Sequence, residues 1–513
     1  MFSLNPIYSG NMFNQKVNFN RTLAKKYSTM KSFYLHKTPS FFWIIMPILL
    51  TSLNTDRSNE HQEQKKKYNV LLIMADDLNN DMECYGNPFV KTPHLDRLAN
   101  SAIRFDHAYN QFPLCSPSRV SMLTGYRPDK TGVYDLQKLF RDNIPEAITL
   151  PQLFKNNGYF SARVGKIFHY GVPGGIGTNG QDDSISWNKR VNPIGRDKAE
   201  ESKLTILTPG RGIGSSLSYL IAGGEDEEQT DGIVAKEAIQ ILESNKDNPF
   251  FLAVGFYRPH CPYVAPKKYF DLYPLDKVIL PKEDPKDWND KPQIAKWNDP
   301  LNFGLDETKL REALRAYYAC ISFMDAQVGK VLDALERFGL KDNTIVVFCS
   351  DHGYNVGQHG QWMKQSLFEN SARVPLIIAI PGVSNGKSSA RIVELLDVYP
   401  TLAELCGLKP PKDIQGKSLV SLIKNPNEKW NKPAYTQVQR IINRDKPDQK
   451  IIMGRSVRTD RWRYNEWDET KLGIELYDHQ NDPGEFINLA SDARYSSTIK
   501  ELSDLLRKSY VGK

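Results

Sequence analysis

Short apolar runs punctuate the chain and stop abruptly at polar residues. Tyr68 to Met74 reads Tyr-Asn-Val-Leu-Leu-Ile-Met and ends at Ala75-Asp76-Asp77. Thr344 to Cys349 reads Thr-Ile-Val-Val-Phe-Cys and ends at Ser350-Asp351-His352-Gly353. Pro249 to Gly255 and Val374 to Ile380 have the same character. Runs this apolar predict strands buried on both faces, as in a parallel sheet covered by helices. Between them lie helical patterns. Residues 308–338 are the clearest, with Leu310, Leu314, Tyr317, Ile321, Met324, Val328, Val331 and Leu335 on one stripe, which we assign to the core. After about residue 430 the pattern shortens. Arg455–Thr459, Trp462–Tyr464 and Glu475–Tyr477 read as small strands and 496–508 as a helical tail, predicting a small C-terminal α+β subdomain over 431–513. Residues 171–230, rich in Gly, Asp and Ser, read as an irregular insertion near a substrate mouth. No repeat of 20–50 residues is visible.

Composition adds bounds. The 513 residues are 40% hydrophobic and 25% charged, a globular balance able to bury a large core. The net charge of +7 is local: residues 1–67 hold ten Lys/Arg and three Asp/Glu, and 68–513 hold 57 of each sign. The body is therefore no basic platform for nucleic acid. Six cysteines, none in a Cys-x-x-Cys pair, exclude a disulfide scaffold and zinc-ribbon or thioredoxin motifs. Lys31 and Lys37 precede a short apolar run at 40–53, the layout of a secretory signal over about 30–53, with residues 1–29 an upstream extension and 54–67 a polar leader. The run falls short of the ~20 apolar residues of a stable span. A non-cleaved anchor is the competing reading. The expected body is a catalytic domain at 68–430.

Two strands end in chelating residues, and ligands collect at the carboxyl ends of strands in open α/β sheets. Asp76-Asp77 and Asp351-His352 are thus expected to meet. Cys115 to Gly125 reads Cys-Ser-Pro-Ser-Arg-Val-Ser-Met-Leu-Thr-Gly, a Pro-rich loop running into a helix start. A helix N-terminus and the fork of Arg119 suit a tetrahedral oxyanion. On this local chemistry a reactive Cys115 and a buried, inert one fit equally.

The longer pattern Cys-x-Pro-Ser-Arg-x-x-x-Leu-Thr-Gly resembles the signature of the formylglycine-dependent sulfatases, with Cys115 at the modified position. The resemblance runs from Asn69 to about Asp492 and is nearest the iduronate-2-sulfatase branch. It is carried by Ala-Asp-Asp-Leu at 75–78, Arg-Val-Gly-Lys-Ile-Phe-His at 163–169, Phe-Phe-Leu-Ala-Val-Gly-Phe-Tyr-Arg-Pro-His at 250–260, Ser-Asp-His-Gly at 350–353, Gly-Gln-His-Gly-Gln-Trp-Met-Lys at 357–364 and Ser-Val-Arg-Thr at 456–459.

The resemblance implies an alkaline-phosphatase-like α/β sandwich, a large mixed or parallel sheet covered by helices, with the small C-terminal subdomain. It implies a sulfuric ester hydrolase in which Cys115 becomes formylglycine (3-oxoalanine). The hydrated aldehyde attacks sulfur and then expels sulfate by re-forming, covalent catalysis with a built-in release. One Ca2+ would be held by Asp76, Asp77, Asp351, the oxygen at 115 and, in the remaining position, His352. Arg119 and Lys166 would hold formylglycine and sulfate. His169 would act as base, and His260 and Lys364 would bind sulfate and assist the leaving alcohol. His359 and Trp362 read as supporting or wall residues. The implied partners are a formylglycine-generating or anaerobic sulfatase-maturating enzyme and a sulfated oligo- or polysaccharide: an algal glycan such as ulvan or carrageenan, or the uronate 2-O-sulfate of a glycosaminoglycan. The expected location is periplasmic or secreted. Loops 171–230 and 281–306 match no pattern, leaving the sugar open. A phosphonate or phosphate ester hydrolase of the same superfamily and an inactive glycan-binding homologue are the alternatives.

Overall fold

The apolar runs form the centre of an eight-stranded mixed sheet in the computed structural model, which describes residues 67–383, 386–443 and 446–510. The expected signal segment lies outside the described residues. In chain order the strands are β1 (Asn69–Asp76), β2 (Ile103–Tyr109), β3 (Phe160–Gly165), β4 (Lys189–Val191), β5 (Phe250–Pro259), β6 (Thr344–Ser350), β7 (Arg373–Ala379) and β8 (Lys387–Glu394). Their spatial order is β8-β2-β7-β6-β1-β5-β3-β4. β6, β1, β5, β3 and β4 are mutually parallel, and β7 runs antiparallel to both β6 and β2. A parallel sheet must be covered on both faces, and β1, β5 and β6 are buried at every residue.

Alternation along β1 divides the core. Leu71 and Ile73 point to one face, into a cluster with Val234 and Ile241 of α2 (Thr230–Ser244) and Tyr317, Ile321 and Val328 of α3 (Glu307–Arg337). Val70, Leu72 and Met74 point to the other, with Val120 and Leu123 of α1 (Cys115–Thr124) and Leu402. The apolar stripe over 308–338 is thus α3, capped by Asp306, whose Oδ1 accepts the Lys309 N–H at 3.0 Å.

The C-terminal region is a four-stranded antiparallel sheet, β9 (Ala434–Ile442), β10 (Lys450–Arg458), β11 (Trp462–Trp467) and β12 (Ile474–Asp478) in that order, with α4 (Ser496–Tyr510) packing Leu502 and Leu506 onto Val457, Tyr464 and Leu476. β9 escaped the sequence reading because Ala-Tyr-Thr-Gln-Val-Gln-Arg-Ile-Ile mixes polar and apolar residues on both faces. This sheet is stitched to the larger one. The Thr436 hydroxyl donates to the Asn110 carbonyl at 2.7 Å, and the Arg455 guanidinium grips Asp129 at 2.8 and 2.9 Å.

Buried Glu394 at the end of β8 anchors the junction. Arg127 donates two bonds of 2.7 Å to it, Lys432 lies 2.9 Å away, and the Tyr435 N–H donates at 3.0 Å. Burial pushes this carboxyl up, but Arg127 and then Lys432 hold it well below 4.5. Its stabilisation is therefore complete above the unfolded pKa near 4.5 and is lost as pH falls below it. Arg127→Ala is expected to cost about 3–5 kcal/mol, because a buried charge loses its bidentate partner. Denaturant unfolding at pH 7 checks this, and a loss below about 1 kcal/mol would contradict the assignment.

Candidate active site

β1 and β6 are adjacent and parallel, with Ala75 opposite Ser350, so the carboxyl ends of both strands deliver their polar residues to one point. Asp77 turns sharply there, at φ 63°, a left-handed conformation unusual outside glycine. Its N–H donates to Asp351 Oδ1 at 3.1 Å, and the Tyr317 hydroxyl of α3 donates to its carbonyl at 2.8 Å. The Ser350 hydroxyl accepts the Leu78 N–H at 3.0 Å. These bonds fix the turn.

α1 opens on Cys115, with no side-chain cap at Leu114, so its first N–H groups face the same point. Sγ lies 3.4 Å from His352 Nε2, 3.3 Å from Lys364 Nζ and 3.9 Å from Asp77 Oδ1. Burial pushes the Cys115 thiol up, but Lys166, Lys364 and His352 hold it well below 9.

Arg119, one turn along α1, is fully buried and spends its donors inside the protein. Nε bonds Asp351 at 2.8 Å, Nη2 bonds Asp76 at 2.9 Å, and Nη1 bonds the carbonyls of Lys166 and Ile167 at 2.7 and 3.0 Å. Lys166 Nζ takes the second Asp76 oxygen at 2.6 Å. Burial raises the Asp76 carboxyl, but Lys166 and other nearby cations hold it well below the usual range. Lys166 reaches this place because β3 and β5 come unusually close. A Cβ on Gly255 would sit 2.0 Å from the Lys166 carbonyl oxygen.

The acidic set sorts into two groups. Asp77, Asp351, His352 and Cys115 each offer a donor atom within 4.8 Å of the others. Asp76 falls in a second group, with Cys115 and His260. His352 donates Nδ1–H to the Gly353 carbonyl at 2.9 Å, so in the neutral ring Nε2 carries the lone pair toward the cluster. Two buried carboxylates converging with an imidazole lone pair are a donor set that could hold a divalent cation, whose charge would offset the burial that pushes Asp351 up.

On the open side, Lys364 Nζ contacts both Asp77 oxygens at 2.7 and 3.0 Å, and His260 Nε2 lies 3.7 Å from Asp77 Oδ2. Burial lowers the His260 imidazole but Asp77 raises it, to about 10. Burial pushes the His169 imidazole down from 6.5, with Cys115 opposing. A cavity of about 480 Å3 opens over Asp77, Cys115, His169, His260 and Lys364.

The residues singled out from sequence therefore converge, in two layers. Cys115, Asp77, His169, His260 and Lys364 line the cavity, whereas Arg119 and Lys166 stand behind it, holding the carboxylates. His359 and Trp362 do not line it. His359 Nδ1 bonds Asp287 at 2.8 Å, and buried Trp362 donates to Asn302 at 2.9 Å. The outer wall comes from Val172, Gly174, Arg211 and Ile213 of the 171–230 segment and from Trp297 of the 281–306 loop. Tyr317, which fixes the Asp77 turn, looks in sequence like any core aromatic of α3, and no local pattern distinguishes it.

The family model for sulfatases matches residues 68–408, and that for the C-terminal part of N-sulphoglucosamine sulphohydrolase matches 357–511. A sulfatase of Formosa agariphila is 33% identical, over 91% of this chain and 92% of that one. The iduronate 2-sulfatase of Homo sapiens is 34% identical, over 83% and 92%. The crystal structure of a phosphonate monoester hydrolase of Agrobacterium radiobacter superposes with a TM-score of 0.71 at 22% identity, covering 87% of this chain and 96% of that one, and so shares the fold. With a cysteine at the head of α1 facing acidic strand ends, and with two such relatives aligned along most of their length, the chain belongs to the sulfatase family and is a sulfuric ester hydrolase.

Proposed function

We propose that the protein is an exported, calcium-dependent sulfatase that removes sulfate esters from a sulfated polysaccharide or its oligosaccharides, with formylglycine at position 115. The observation that carries this reading is the cavity in which Cys115, Asp77, His169, His260 and Lys364 meet. The Cys115 Sγ stands where the oxygens of the hydrated aldehyde would be. Formylglycine would supply the oxygen nucleophile and the release route, and Asp77, Asp351 and His352 would hold the calcium, whose charge would neutralise theirs. Asp76 supports the set from behind, held by Arg119 and Lys166.

The remaining work falls to side chains on the open side. Lys364 Nζ and the His260 Nε2–H present positive charge toward the cavity, where sulfate oxygens and a leaving alkoxide would sit. His169, whose imidazole burial pushes down and which lines the same cavity, is placed to take a proton from the group at 115. The likeness to an iduronate 2-sulfatase supports a sugar sulfate as substrate. The choice between an algal glycan such as ulvan or carrageenan and a glycosaminoglycan uronate 2-O-sulfate rests with a panel of defined sulfated oligosaccharides. Sulfate release from at least one of them, abolished by exhaustive chelation and restored by calcium, is the expected result. Faster turnover of phosphate or phosphonate esters than of every sulfate ester would overturn the reading, as would full activity of a metal-free sample.

His260 and His169 are expected to separate by substrate. Protonating the leaving oxygen matters for a sugar alkoxide and little for an activated aryl oxide. His260→Ala should lose about 10²–10⁴-fold on a sugar sulfate and far less on an aryl sulfate. His169→Ala should lose activity on both and accumulate sulfated enzyme, visible as added mass. Equal losses for His260→Ala on the two substrates would leave it sulfate binding alone.

A further inference from the structure

Seven arginines are buried among the described residues: Arg119, Arg127, Arg163, Arg258, Arg440, Arg458 and Arg463. Six have a carboxylate oxygen within 4.0 Å. Arg440 has none among the described residues. It projects from β9, is 7% exposed, and lies over the rings of Trp297 and Trp467 at 5.4 and 5.2 Å. Its Nη groups donate to backbone carbonyls, those of Gln365 at 2.6 Å, Gln439 at 3.3 Å and Ala295 at 3.4 Å, and its Nε has no partner. Burial pulls this guanidinium down to about 9, with Glu475 opposing. A buried cation with no carboxylate in contact is costly, and an anion beside it removes much of that cost.

Arg440 lines a cavity of about 510 Å3. This cavity shares Leu114, Leu136, Trp297 and Gln365 with the one over Cys115, so the two adjoin through a common wall. Lys296, also on its lining, lies over the Trp288 ring at 5.2 Å and has no carboxylate within 4.0 Å among the described residues. The opposing charge is Asp135, whose Oδ1 already accepts the N–H groups of Gln137 and Lys138, each at 2.8 Å. Trp297 adds a flat apolar face and a buried Nε1–H with no partner. Aromatic faces beside cationic forks suit an anionic sugar.

We propose that this second cavity holds a carboxylate or second sulfate on the sugar next to the one being desulfated, with Arg440 and Lys296 as its cationic partners. The inference rests on the polysaccharide reading above and deepens it. The substrate is then a chain with negative charge on consecutive sugars, and a single sulfated monosaccharide fills only the first cavity. Arg440 also has a purely structural alternative, since its bond to the Gln365 carbonyl props the residue after Lys364.

Matched substrates separate these readings in the unaltered holoenzyme. Sulfate release is measured on a sulfated, uronate-containing oligosaccharide, on its carboxyl-reduced form, on its form lacking the second sulfate, and on an aryl sulfate. Removing the recognised anion should lower kcat/KM at least about tenfold, mainly through KM, worth about 1.4 kcal/mol. Whichever arm falls identifies carboxylate or sulfate. In Arg440→Gln and in Lys296→Gln the preference for the parent over its neutralised form should shrink toward unity. Equal kcat/KM for the parent and both neutralised forms in the unaltered enzyme would overturn the proposal. So would an Arg440→Gln loss of the same factor on all substrates, aryl sulfate included, with kcat falling and KM unchanged. Hydrolysis of the aryl sulfate with none of any saccharide would instead overturn the polysaccharide reading, and this inference with it.

Discussion

Cys115→Ala is expected to abolish sulfate release on sugar and aryl esters alike, by about 10⁴–10⁶-fold, because it deletes the proposed nucleophile. The variant should fold, since the methyl fits where the buried β-carbon and sulfur now sit. Cys115→Ser tests more than presence of an oxygen. A serine alcohol could be sulfated but has no aldehyde to re-form, so any turnover should stop after one cycle. In the active enzyme, mass spectrometry of the tryptic peptide Phe105–Arg119 should show the aldehyde in place of the thiol. A fully active preparation carrying only the thiol would end the formylglycine mechanism.

Asp351 should show the second large effect, and it should appear in stability as well as in rate. Its carboxylate accepts the Arg119 Nε–H and the backbone N–H groups of Asp77 and His352. Asp351→Ala therefore strips a fully buried guanidinium of one of its two carboxylates and orphans two N–H groups, at a cost of about 3–5 kcal/mol. Asp351→Asn keeps an acceptor and the volume, so it should unfold nearer the parent while remaining as inactive as the alanine variant. Calcium should raise the melting temperature of the parent and not of either variant. Calcium-dependent stabilisation of Asp351→Asn equal to that of the parent would remove Asp351 from the donor set.

Much of this centre could be read from the chain alone because its parts are local. A run such as Val-Leu-Leu-Ile-Met ending in Ala-Asp-Asp is a strand and its terminus in one stretch, and parallel neighbours place two such termini together. Cys115 and Arg119 share one helix start. The layering was not legible. That Arg119 and Lys166 face inward depends on β3 and β5 closing at Gly165 and Gly255, a long-range contact. The antiparallel course of β7 was equally hidden, since Val-Pro-Leu-Ile-Ile-Ala-Ile is apolar in either direction. Arg440 and Trp297 carry no local mark, because a lone arginine on a strand of mixed faces and a tryptophan in a loop normally meet water.

The cavity over Cys115 has two walls of different origin. One is made of strand ends and the head of α1, set by the interior of the sheet, and the other is made of the 171–230 segment and the 281–306 loop. The groups of the reaction and the segments that frame its mouth are therefore separable by substitution. Changes in the outer wall are expected to alter which ester is admitted while the inner groups stay in place, whereas changes in the inner wall should remove the chemistry for every ester alike.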